Sequence, residues 1–161
     1  MSQYDLQVLF ELRERAREEA EEEYGAQLNE LERRKRVTIA CRQKLEAAIV
    51  RRGELCKAFD REMIEKSLTM VDVHRFDAYI EGLKLDEQEM QQDIERAERE
   101  EVVQARTVET ARVALLEASR QLKAVEKHHE EWQAEQKVLL DRKQSDALDD
   151  IAARIWREQH S

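Results

Sequence analysis

Apolar residues recur through the second half of this chain at alternating steps of three and four. One set, spaced by seven, reads Phe76, Leu83, Met90, Ala97, Gln104, Ala111, Ala118, Val125, Trp132 and Leu139. The interleaved set reads Ile80, Glu87, Ile94, Glu101, Val108, Leu115, Leu122, His129 and Gln136. Fourteen of these nineteen positions are apolar. A repeat of 3.5 residues keeps one stripe turned toward a partner helix over many turns, so the spacing predicts a coiled coil. The first half reads as helix with a different period. Leu9, Leu12, Ala16, Ala20, Tyr24, Leu28 and Leu31 approach an eleven-residue repeat, which favours a straight or slightly right-handed winding. Four-three steps return from Cys41 through Leu45, Ala48, Arg52, Leu55 and Phe59 to Met63.

The two helical stretches are separated by Ser67-Leu68-Thr69-Met70-Val71-Asp72-Val73. Thr69 followed three residues later by an acid is the pattern of a capping box, and it marks a helix start. The expected fold is therefore all-α: one domain over residues 1–161, with helix 1 over about 3–66, a turn over about 67–69 and helix 2 over about 70–158. So short a connection implies a long antiparallel two-helix coiled-coil hairpin. Facing residue numbers that sum to about 139–142 would set Phe59 against Ile80 or Leu83, Leu45 against Ile94 or Ala97, and Leu12 against His129 or Val125. Residues after about 138 would then have no partner on helix 1, leaving an overhanging C-terminal helix. Glu87, Glu101, Gln104, His129 and Gln136 interrupt the stripe. They read as side chains that reach water from a thin seam, or else as contacts to another protein.

Composition narrows the function. Charged residues make up 40%, aromatic residues 5%, and there is no proline, a mixture that suits long helices rather than a thick core. A net charge of −9 gives no general attraction for nucleic acid or anionic membranes. The run Arg33-Arg34-Lys35-Arg36 spreads around one helical turn and reads as a solvated face with pairs such as Glu30–Arg34 and Glu32–Arg36. No apolar run reaches the roughly 20 residues of a membrane span, and the Val8-Leu9-Phe10 run flanked by acids is unlike a signal peptide. A soluble cytoplasmic protein is expected. Cys41 and Cys56 lie more than about 20 Å apart on one helix, too far for a disulfide, and read as reduced thiols. His128-His129 point about 100° apart, which does not suit metal ligation, and position 133 is Gln. No phosphate loop or nucleophile elbow is present. No enzyme, cofactor or metal site is expected.

Three segments carry a family resemblance. Leu9-Phe10-Glu11-Leu12-Arg13-Glu14-Arg15-Ala16 resembles the opening of the FliJ/YscO proteins of bacterial flagellar and type III export systems. Thr69-Met70-Val71-Asp72 and Arg75-Phe76-Asp77-Ala78-Tyr79-Ile80-Glu81-Gly82-Leu83 are similar to that family's segment opening the second helix. Arg142-Lys143-Gln144 with Asp149-Asp150-Ile151-Ala152 resembles its charged terminal helix. The resemblance implies a non-catalytic central stalk of a hexameric export ATPase, peripheral to the cytoplasmic face of the inner membrane through protein partners. It implies that paired termini enter the ATPase ring, that the other end approaches a membrane-embedded export gate, and that some members escort export chaperones. On that basis the ATPase contacts are expected at Leu6, Leu9, Arg13, Arg142, Lys143, Leu148, Ile151 and Ile155, and the export-gate contacts at Phe76, Tyr79 and Leu83. A generic coiled-coil tether and a peripheral stalk of a rotary ATPase are the alternatives.

Overall fold

The computed structural model describes residues 6–161, so the expected helix start near residue 3 lies outside the described residues. Two α-helices account for nearly all of them: α1 (Gln7–Glu65) and α2 (Met70–Gln159). They pack against each other as an antiparallel hairpin, joined through Lys66–Thr69. The chain divides into two compact units, residues 23–112 and residues 1–22 with 113–161. Helix persists through both elements because proline is absent and alanine, leucine, glutamate, glutamine, lysine and arginine dominate, all of them strong helix formers.

The seam of α2 follows the expected heptads. From Phe76 to Gln136 each position of the two sets is buried or half-buried, and Ile80, Ile94, Ala97, Ala111 and Leu122 lie deepest. Leu139 departs from the pattern and is 48% exposed.

The seam of α1 differs from expectation. Only part of the eleven-residue stripe forms the contact face: Ala20, Tyr24 and Leu31 lie in it, while Leu12 is 53% exposed and Ala16 and Leu28 are also exposed. The protected positions are instead Phe10, Arg13, Arg17, Ala20, Tyr24, Gln27, Leu31, Arg34 and Thr38, continuing through Cys41, Leu45, Ala48, Arg52, Leu55 and Phe59. That is a strict three-four alternation. Knobs enter holes along a seam only when both helices keep one period, and the heptads of α2 impose theirs on α1. Arginine tolerates such sites because its methylene stem packs while its head reaches outward.

Contacts across the seam spread below the expected sums: Arg52–Glu87, Thr38–Glu101 and Phe10–His129 sum to 139, as expected, while Phe59–Phe76 sums to 135 and Gln27–Gln104 to 131. Phe59 stacks on Phe76, with ring centroids 3.9 Å apart and planes 5° apart, not opposite Ile80 or Leu83. Phe10, rather than Leu12, lies beside the His129 ring at 5.7 Å.

Within residues 23–112, the polar groups of the seam meet one another across it. The N–H at Arg52 Nε lies 2.9 Å from each oxygen of Glu87. Thr38, 1% exposed, directs its hydroxyl to Glu101 at 3.0 Å and to its own helix at the Arg34 carbonyl, 3.1 Å away. The Gln104 amide donates to the side-chain and backbone oxygens of Gln27 at 2.7 and 3.0 Å. Arg34–Glu100 and Arg42–Glu98 flank these layers at 3.6 and 2.8 Å. Water is therefore not the main partner of Glu87, Glu101 and Gln104. Cys41 and Cys56 are free and half-buried.

A slip of one heptad would set Arg52 and Glu87 against the other helix's apolar residues, which is costlier than the pair itself is favourable. Glu87→Leu is accordingly expected to lower the melting temperature by more than the double change Glu87→Leu with Arg52→Leu. The double variant should melt near wild type while populating more than one helix register. Thermal circular dichroism with spin-label distances across the hairpin checks both outcomes.

Candidate functional site

Two surfaces hold the residues singled out by sequence. The first surrounds the turn. Thr69 caps α2: its hydroxyl accepts from the Asp72 N–H at 3.3 Å, and the Asp72 carboxylate accepts from the Thr69 N–H and hydroxyl at 3.1 and 2.9 Å. The backbone N–H of Thr69, then its hydroxyl, holds the Asp72 carboxyl below its ordinary value. This box fixes where α2 starts and hence which side chains the turn displays. Phe76 and Leu83 are half-buried in the seam, Phe76 against Phe59, so they support the surface from beneath. Tyr79 is 49% exposed and presents a ring to solvent. Two stronger exposures at the turn, Met70 (69%) and Ile64 (85%), were not among the expected contacts. Both stand just outside the heptad seam, which was the available signal.

The second surface belongs to the unit formed by residues 1–22 and 113–161. Here α2 outlasts its partner: every residue from Lys137 to Gln159 is exposed. The spacing of the seam would continue through Lys143, Asp146, Asp150, Ala153 and Arg157. The apolar side chains lie instead at Leu148 (66% exposed), Ile151 (50%) and Ile155 (49%). They are displaced by one or two positions, roughly 100–200° around the helix. The stripe is thus no leftover of the hairpin seam but a separate face. Trp156, 61% exposed and stacked on His160 at 4.5 Å, borders it and was missed, although its place beside Ile155 was visible. Arg142 and Lys143 are exposed at the base of this stretch.

The remaining expected contacts lie on α1. Leu6 is 36% exposed, Leu9 is half-buried, and Arg13 donates to Gln121 from within the seam. Gln121 precedes Leu148 by twenty-seven residues, on the order of 40 Å of helix, so Arg13 and the C-terminal stripe do not form one compact site. Among the described residues no helix is long and apolar enough to cross a membrane, and no cluster of three or more acids, histidines or cysteines could hold a metal. His129 lies between the rings of Phe10 and Trp132, at 5.7 and 6.1 Å.

Elsewhere on α1, Glu30 accepts from Arg33 and from Arg34 at 2.7–3.0 Å. Arg33 first, and then Arg34, holds its carboxyl down to about 2. Glu32 pairs with Lys35 at 3.7 Å rather than with the expected Arg36.

A family model described as YscO-like protein matches residues 1–160. No curated protein and no solved structure matches the chain.

The cap makes a prediction with a definite sign. A carboxyl depressed by folding stabilises the fold above its unfolded value, here 3.8, and that contribution is lost as pH falls through the lower folded value. Thr69→Ala removes the hydroxyl but keeps the Thr69 N–H, so the Asp72 titration should move only part of the way toward 3.8. The lost cap should cost about 1 kcal/mol of stability at neutral pH. A side-chain NMR titration that Thr69→Ala leaves unmoved would show that the hydroxyl takes no part in the shift.

Proposed function

Because the chain belongs to the YscO-like family, whose members are non-enzymatic proteins associated with type III secretion and flagellar export, we propose that it is the central stalk of a hexameric export ATPase. The observation that carries this reading is the helix that continues alone past its partner, with Leu148, Ile151 and Ile155 exposed on a face of their own. Contiguous exposed apolar side chains on a highly charged chain mark a place for a protein partner. A single helix about 10–12 Å across is narrow enough to enter the axis of a ring.

In this role the protein performs no chemistry. A helical hairpin presents a different side chain to each direction around its axis, so identical ATPase subunits that surround it meet different contacts. Each contact that favours one nucleotide state shifts that subunit's equilibrium by its differential affinity. Leu148, Ile151 and Ile155 supply the buried anchors, while Arg142, Lys143, Leu6, Leu9 and Arg13 complete the ATPase-facing set. The surface around Tyr79 is the contact for the membrane-embedded export gate, with Phe76 and Leu83 holding Tyr79 in place. Export chaperones are further candidate partners. A peripheral stalk would pair extended with a different subunit, which the self-paired hairpin disfavours, and a generic tether would not need a stripe rotated away from the seam.

Two measurements test the proposal. ATP hydrolysis by the cognate export ATPase should rise on addition of this protein, together with its hexamer content in light scattering. Replacing Leu148, Ile151 and Ile155 by serine should weaken that effect by about tenfold or more, the loss usual for central apolar anchors. A helical, monodisperse preparation that neither binds nor stimulates the ATPase would sink the stalk reading. Tyr79→Ser should weaken capture of the protein by the cytoplasmic part of the export gate.

A further inference from the structure

We infer that the hairpin opens in a distinct step at the end away from its turn: residues 7–22 of α1 leave α2 while residues 23–112 stay paired. The step falls within the unit formed by residues 1–22 and 113–161.

The seam is weak in this stretch. Its α1 positions are Phe10, Arg13, Arg17 and Ala20, and those of α2 include Leu115, Ala118, Leu122 and Val125. Neither arginine binds an acid across the seam. Arg13 donates to the neutral Gln121, and Arg17 pairs with Glu21 one turn along its own helix, at 3.1 Å. The ion pairs that join the two helices among the described residues are Arg34–Glu100, Arg42–Glu98 and Arg52–Glu87, all within residues 23–112. An arginine in an apolar seam packs its stem but draws its head group toward water, so two of the four α1 positions hold the helices together poorly.

Charge acts in the same direction. Residues 7–22 hold six acids and three bases, and residues 113–136 of α2 hold five acids and three bases. Two helices of like net sign are thus laid side by side. In the other unit the signs are opposite: α1 over 23–65 holds ten bases and eight acids, and α2 over 70–112 holds twelve acids and six bases. Glu14 and Glu126 line one groove of about 580 Å³ from opposite helices, together with Glu18, Arg17 and Lys123. Glu21 engages Arg17, which leaves Lys123 to face three acids. Charges beside a coiled-coil seam decide how well its helices pair, and like charges there oppose pairing.

The opening has a natural limit. Gln27 and Gln104, bonded at 2.7 Å, begin the series of layers joined across the seam toward the turn. Gly25 stands just before them. A Cβ there would meet nothing within 4 Å, so no close approach demands the glycine, and its low helix propensity makes this the least costly place for α1 to break. The released arm is only about four turns long, too short to stay helical alone. Opening therefore bares Leu115, Ala118, Leu122 and Val125 on α2. The inference is independent of the stalk reading, since it concerns the two helices of one chain.

The experiment is native-state hydrogen exchange of the full chain, followed by NMR. Amides over about residues 11–22 should share one opening equilibrium, well above that of residues 34–59, with a step near Gly25. Glu14→Lys alone and Glu126→Lys alone should each slow exchange of the arm by about threefold or more. The two together should exchange faster than either single variant. Glu22→Lys, exposed between the seam positions Ala20 and Tyr24, should leave the arm unchanged. Misfolding speeds exchange, so slower exchange in the single variants reports closure. Protection that declines evenly toward the start of α1 with no step would mean simple fraying and would overturn the proposal. So would an arm as protected as residues 34–59, or one indifferent to Glu14→Lys and Glu126→Lys.

Discussion

Everything in the hairpin follows from the thinness of its seam. Two helices in contact share one line of side chains, and no second layer stands behind it to dry the interior. Polar groups can enter such a line if they find partners across it, and here they do: arginine with glutamate, threonine with glutamate, glutamine with glutamine. Leucine against leucine would tolerate several alignments. A hydrogen-bonded layer tolerates one, because each alternative strands its members among apolar neighbours. The polar layers thus give up some stability and supply alignment, and the apolar positions between them supply the attraction.

Alignment in turn determines what is displayed. The capping box at Thr69 and Asp72 fixes the start of α2, and the stacked Phe59 and Phe76 brace the first layer after it. Tyr79 is consequently turned outward while its neighbours on either side of the seam stay in. At the C-terminal stretch the causal order is reversed. No second helix restrains the last turns of α2, so the seam's phase has no purpose there and the apolar residues occupy a new face.

How much of this could be read from residues alone differs between the two helices for a physical reason. The seam of α2 was legible because most of its positions are apolar, and so was the cap, whose two residues are local in sequence. The seam of α1 was not. Arg13, Arg17, Gln27, Arg34, Thr38 and Arg52 occupy it, and hydropathy alone ranks Leu12 and Leu28 above all of them. What makes these polar residues suitable is the group opposite each one, which belongs to a distant part of the chain. The same limit shifted the expected register, since apolar stripes match equally well half a heptad apart while the paired polar groups do not. Of the candidate contacts, Leu148, Ile151, Ile155 and Tyr79 stand exposed where a partner could reach them. Phe76, Leu83 and Arg13 are engaged by their own hairpin. Ile64, Met70 and Trp156 were not among the expected contacts because a repeating stripe does not mark what lies beside it.

The unaccompanied stretch of α2 also has a thermal consequence. Twenty-odd residues of helix in water, with no packed face, are held mainly by backbone hydrogen bonds and intrinsic propensity, and such helices are marginal. Warming should fray this end long before the paired region melts, so the chain ends in a segment that is softer than its base. A partner that grips it must bear the entropy of holding it straight, which favours a hold that is specific but readily released. That softness is supplied by nothing more than the absence of a second helix.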